Sequence, residues 1–203
     1  MLRRRIFSKV VAIEKPYASA VVGDIYCSDN TIVSASNYSG SGKTAVGIVI
    51  YNVSGDMRVM ALTTVTQMYG GFGDYLGINE TTEAGAIKDL DGTYNSAIMR
   101  QWISGDTIAD SCHTYTPSGS IIGDWYCPAI GEVYLIGQNF STVNASRVAV
   151  GLSAIGAYTV FVSSTEYNFE KCWYGYYVAF FELYADLDKN LSYDTYPFRK
   201  ITY

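Results

Sequence analysis

The chain has little of what most protein chemistry uses. It carries one histidine, His113, so a multi-histidine metal centre is excluded and any imidazole base would act without a second imidazole. Its four cysteines, Cys27, Cys112, Cys127 and Cys172, are scattered, with no CxxC pair. Zinc-site spacing is therefore absent, and the reading is four reduced, partly buried thiols, with one disulfide left open. Charged residues make up only 16% of the chain and acidic ones exceed basic ones, for a net charge of −5. That balance excludes a nucleic-acid binder, and the short Arg3-Arg4-Arg5 cluster does not reverse it. No 18-residue apolar run occurs, so no membrane insertion is expected. The opening MLRRRIFSKVVAIEKPY starts like a secretory leader, but Ser8, Lys9, Glu14 and Lys15 interrupt its apolar part. The expectation is a chain that stays in the cell or leaves it without a signal, for instance within a virus particle.

What is present is a globular composition, 49% hydrophobic over 203 residues. Such a chain buries roughly 70% of its unfolded surface without staples and most simply forms one domain, two small ones being the alternative. After an extended lead-in over residues 1–20, AVGIVIYNV and RVMALTTV read as two strands joined at Ser54-Gly55-Asp56. MYGGFGDYLGINETTEAG, with five glycines and no period, reads as a long loop. Thr93–Ser104 places Ile98, Met99 and Trp102 on one helical face. Pro128 starts a second helix, AIGEVYLIGQN, and VNASRVAVGL follows as a third. PFRKITY closes the chain as a strand. Strands, then helices, then strands and loops predict α+β architecture with small sheets and two or three helices.

Chemistry-bearing motifs are sparse. GSGKT at Gly40–Thr44 lacks the earlier glycine of a phosphate loop, Asn37 standing there, and it precedes a strand instead of a helix. Cys112 and His113 are adjacent in SCHTYTPSGS, read as a polar loop, where neighbouring side chains point apart; no triad-like partner marks them. DLDKNLSYD is acidic but lacks the glycine of a calcium loop. No cofactor is expected. The tryptophans Trp102, Trp125 and Trp173 read as core or near-core anchors.

The last 46 residues, 158–203, hold nine of the nineteen tyrosines. Tyrosine, phenylalanine, asparagine, aspartate and serine recur there around the word SSTEY. A core cannot absorb so many phenols and carboxylates without a partner for each. A recognition face can, because tyrosine gives a large rigid contact area and the small polar residues give adaptable hydrogen bonds. Trp173–Tyr177 places four aromatics in five positions, so both faces of any strand there are aromatic and one must meet solvent or a partner.

GDWYCPAIGEVYLI (Gly123–Ile136), VSSTEYN (Val162–Asn168), Cys172-Trp173, Lys189 and YPFRKI together resemble a bacterial branch of the C-type-lectin superfamily. That branch includes Lcl-type domains and is similar in fold to formylglycine-generating enzymes. The resemblance implies one C-type-lectin-like domain over residues 21–203. The sugar- and calcium-binding triplets of animal lectins are absent, as is the context of the oxidase cysteines, so the resemblance implies binding without enzymatic chemistry. The tail is most similar to the variable proteins of diversity-generating retroelements, in which asparagine codons mutate toward tyrosine, aspartate, serine, phenylalanine and cysteine. This implies a variable ligand-binding region at about 160–196, comprising Phe169, Glu170, Lys171, Cys172, Tyr174, Gly175, Tyr176, Tyr177, Phe181, Tyr184, Asp186, Asp188, Asn190, Ser192 and Tyr193. Tyr174, Tyr176 and Tyr177 are its expected anchors, on a frame that includes Trp125, Glu166 and Trp173. The implied function is an adhesin or receptor-binding module on a phage tail or cell surface. Its partner would be a surface protein or other macromolecule of a host or neighbouring cell; a fixed-specificity carbohydrate-binding domain is the alternative.

Overall fold

The computed structural model describes residues 14–203 apart from 72, 75 and 104; the Arg3–Arg5 cluster and most of the lead-in lie outside these residues. Its first half contains strands β1 (Glu14–Lys15), β2 (Ile25–Cys27), β3 (Ile32–Val33), β4 (Ala45–Val53), β5 (Asp56–Ala61) and β6 (Val65–Met68). Helices α1 (Glu83–Ala86), α2 (Gly92–Trp102), α3 (Ile108–Thr114), α4 (Ile130–Gln138) and α5 (Phe140–Ala149) follow. The chain then returns to strands β7 (Thr159–Glu166), β8 (Lys171–Tyr177), β9 (Phe181–Asp188), β10 (Ser192–Thr195) and β11 (Phe198–Thr202). Among the described residues the architecture is α+β with three small antiparallel sheets: β1-β3-β2-β4-β5-β11, β10-β6 and β7-β8-β9.

The β4–β5 hairpin forms where the sequence places it. Ser54 and Gly55 both adopt positive φ, 51° and 85°, the two-residue turn whose twist matches that of the strands. The expected closing strand is β11, which pairs with β5 from Phe198 opposite Met60 to Thr202 opposite Asp56. β1 and β11 share this sheet but lie at opposite edges; Tyr17, just after β1, meets Tyr203 instead, with ring centroids 5.7 Å apart.

Among the described residues there are five α-helices where two or three were expected. The three expected segments appear as α2, α4 and α5. The additional α3 covers Cys112 and His113, read above as a polar loop. A reciprocal cap starts it: the Thr107 hydroxyl accepts from the Asp110 N–H, and the Asp110 carboxylate accepts from the Thr107 N–H. Its apolar residues Ile108, Ala109 and Cys112 are all buried. α1 is a single turn capped by Thr82. Met99 is buried as expected on α2, whereas Trp102 is 66% exposed. The buried face of α2 is Asn95, Ser96 and Met99, and Trp102 continues the neighbouring Tyr94–Ile98 stripe one turn on.

Among the described residues three buried clusters result. The largest lies between one face of the six-stranded sheet, α4, α5 and the inner face of the β7-β8-β9 sheet, and includes Ile48, Met60, Val133, Phe161 and Trp173. A second, around Trp125, covers the opposite face of the large sheet. The third gathers Tyr69, Met99, Ile108, Cys112, Cys127, Val162 and Cys172. No helix among the described residues is long and apolar enough to cross a membrane.

Candidate ligand-binding face on the C-terminal hairpin

The SSTE word, Ser163–Glu166, is wholly buried and acts as a junction. The β7–β8 register jumps from Val162 opposite Tyr174 to Glu166 opposite Cys172, so Ser163, Ser164 and Thr165 leave the ladder and bond elsewhere. The Ser163 hydroxyl donates to the Trp173 carbonyl at 2.7 Å and the Ser164 N–H to the Pro128 carbonyl at 2.7 Å. The Thr165 hydroxyl donates to Asp89 at 2.6 Å and accepts from the Ile130 N–H at 2.9 Å, at the start of α4. Glu166 forms a fully buried ion pair with Lys189. Its other oxygen accepts from the Leu76 N–H at 2.9 Å, while Lys189 also donates to the Asp74 carbonyl at 3.1 Å and lies over the Tyr69 ring. The Trp173 indole N–H donates to the Glu80 carbonyl at 2.6 Å. Buried polar groups thus stitch the glycine-rich segment, α4 and the ends of β7, β8 and β9 together, every partner satisfied inside the protein.

On that frame β8 and β9 form a hairpin, with Tyr174 opposite Tyr184 and Tyr176 opposite Glu182. Phe181, Leu183 and Ala185 pack on the main cluster and Leu187 on the third. Glu182, Tyr184 and Asp186 alternate with them and are exposed. The period of two therefore assigns the faces of β9. On the outer face Tyr174 and Tyr184 stack with ring centroids 5.6 Å apart, and Tyr176 sits edge-on at 6.5 and 6.3 Å. The Tyr174 hydroxyl donates to Asp186 at 3.1 Å and the Tyr184 hydroxyl donates to Glu182. Partial burial, reinforced by Asp186, raises the Tyr174 phenol, and the hydrogen bond to Glu182 raises that of Tyr184. Both remain neutral donors at physiological pH.

The remaining expected site residues divide by position. Phe169 is exposed on the β7–β8 turn beside Glu170, whose N–H, with that of Lys171, is held by the Asn168 side chain. Lys171 pairs with Asp188 at 2.6 Å. Asn190 and Ser192 are exposed in and after the β9–β10 turn. Tyr193 is half-buried and lines an open groove of about 500 Å³ with Thr66, Tyr158, Thr159, Val160, Ser192 and Asp194. Val160 pairs with Tyr176 across β7–β8, which puts the groove beside the tyrosine cluster.

Three expected ligand side chains turn inward, and Gly175 is buried among them. Cys172 is buried in the third cluster, and Tyr177 stacks on Phe140 at 3.8 Å. Phe181 packs on Phe161 and against Gly175 and Gly137, at both of which a Cβ would overlap its ring. Of the three expected anchors, Tyr174 and Tyr176 lie on the outer face and Tyr177 does not. Among the expected frame residues, Glu166 and Trp173 support the hairpin directly, while Trp125 belongs to the cluster on the far side of the large sheet.

Besides Asp194 in the groove, three exposed residues of the outer region lie outside the expected set. Glu182 is one, and the strict alternation of FELYADLD was the signal for it. Tyr158 is another, 71% exposed with a positive φ of 67°, a conformation uncommon for residues other than glycine. Phe180, 66% exposed at the hairpin tip, is the third.

No family model matches the chain, and no curated protein does. Among solved structures it is similar to a fimbrial protein from Bacteroides ovatus ATCC 8483, with a TM-score of 0.66 at 20% identity. The likeness covers 90% of this chain and 49% of the other, so the chain spans about half the length of that protein. At this identity the likeness is one of fold.

Proposed function

We propose that the chain is a recognition module of C-type-lectin type whose β8–β9 face binds a macromolecule on a host or neighbouring cell, and whose exposed tail positions are diversified by a retroelement. The observation that carries the reading is the separation of two residue sets in one segment. Buried polar side chains from Ser163 to Glu166, with Lys189, fix the hairpin, and an aromatic and acidic set (Tyr174, Tyr176, Glu182, Tyr184, Asp186) occupies its outer surface. Such a division lets the outer residues change without loss of the scaffold. Binding without chemistry is supported by the burial of all four thiols; burial raises Cys27 to about 11 and also raises Cys127 and Cys172, which keeps them protonated and unreactive. The fold shared with a fimbrial protein supports a place on an extracellular appendage.

The deciding experiment is sequencing of the encoding locus across many isolates. Adenine-directed substitutions concentrated at the outward codons 174, 176, 182, 184 and 186, beside a near-identical non-coding repeat and a reverse transcriptase, are the expected result. A tail no more variable than Gly23–Val65 would sink the reading.

A further inference from the structure

We infer that this version of the face takes a cationic partner: an arginine- or lysine-bearing protein segment laid across Tyr174, Tyr176 and Tyr184, with Glu182, Asp186 and Asp194 as counter-charges. The inference rests on the proposed recognition role of the face and names the chemistry of its ligand. Charge complementarity selects the occupant. Glu182 and Asp186 flank Tyr184 on the same side of β9, and among the described residues neither they nor Asp194 has a cation within ion-pair distance. Asp188, by contrast, is held by Lys171. Each of the two central carboxylates accepts one phenol hydrogen bond, which leaves acceptor capacity for a donor from outside.

The rings between them present what a cation seeks. A guanidinium stacks on a phenol face while its edge donates to a carboxylate, and an ammonium sits over the ring. The neighbouring groove, with Tyr193 and Tyr158 in its lining and Asp194 among its polar groups, accommodates a long side chain whose stem packs on apolar surface and whose head stays with charge. An anionic glycan or a nucleic acid would meet uncompensated like charge on this face.

The test uses the full chain and three synthetic peptides of equal length, alternating Arg-Ser, Gln-Ser and Glu-Ser, followed by fluorescence anisotropy at low and high salt. The Arg-Ser peptide is expected to bind about ten-fold or more tighter than Gln-Ser, weakening with salt as exposed ion pairs and cation–π contacts do. The double variant Glu182→Gln/Asp186→Asn should lose that preference. A control, Asp29→Asn/Glu83→Gln, removes the same charge from outside the hairpin and should keep it. Equal affinity for the Arg-Ser and Gln-Ser peptides, or equal loss in the control, overturns the inference. A diversified locus combined with either of those results would remove the cationic partner and leave the recognition role standing.

Discussion

At the scale of single residues, Lys189 and Glu166 carry the sharpest consequence. Both are fully buried and paired, so removing one leaves a charge in an apolar interior. Lys189→Met should lower unfolding free energy by about 3–5 kcal/mol, measured by urea denaturation, and Glu166→Gln/Lys189→Met should recover part of that. An unchanged midpoint for Lys189→Met would show that the pair does not hold the frame. SSTEY stood out in the sequence as a fixed word, yet nothing in it announces that each of its hydroxyls serves a different element. Ser164 and Thr165 bond to Pro128, Asp89 and Ile130, 35 or more residues away, whereas Ser163 bonds to the Trp173 carbonyl on the neighbouring strand. Trp102 fails as a core anchor for a related reason: helical spacing groups it with Ile98, and only the packing of α2 shows which stripe is covered.

At the scale of the element, the hairpin should separate tolerance by face. Replacing Tyr174, Tyr176, Glu182, Tyr184 and Asp186 together with serine or asparagine is expected to leave a cooperative melt, because surface substitutions usually stay within about 0.5 kcal/mol each. Phe181→Ala alone should cost about 2–4 kcal/mol through the cavity left against Gly137 and Gly175. Differential scanning calorimetry reads both. Equal destabilisation by the two variants would remove the distinction between frame and face. The alternation of FELYADLD makes β9 legible from sequence. β8 is not legible in the same way, because KCWYGYY is aromatic on both faces and its register with β9 shifts between Cys172 and Tyr174; Tyr177, expected as an anchor beside Tyr174 and Tyr176, packs inward on Phe140.

At the scale of the whole molecule, a buried carboxyl and four buried thiols report on integrity. Burial pushes the Glu132 carboxyl up from 4.5 to about 7, against the opposing pull of the Tyr126 hydroxyl, the Ala129 N–H and Arg58. The folded state therefore holds a proton that the unfolded chain releases between those values. Its contribution to stability is complete below about pH 4.5 and is lost as pH rises through about 7. Urea midpoints at pH 5 and pH 8 should fall more for the native chain than for Glu132→Gln; parallel behaviour would refute the shift. The four buried thiols should resist iodoacetamide in the native state and react together on global unfolding. Fast native labelling of any one of them, detected by mass spectrometry, would reveal local opening of its cluster.

The sequence by itself determined the α+β class, the β4–β5 hairpin, three of the helices and the closing strand, because these depend on local period, caps and turn residues. It also marked the tail as too polar and too aromatic for an ordinary core. The tertiary structure alone decided which residues of the aromatic β8 face outward and that the SSTE segment leaves its ladder. Each of these is set by long-range partners: a pairing register, a buried ion pair or a covering surface, none of which a local pattern contains.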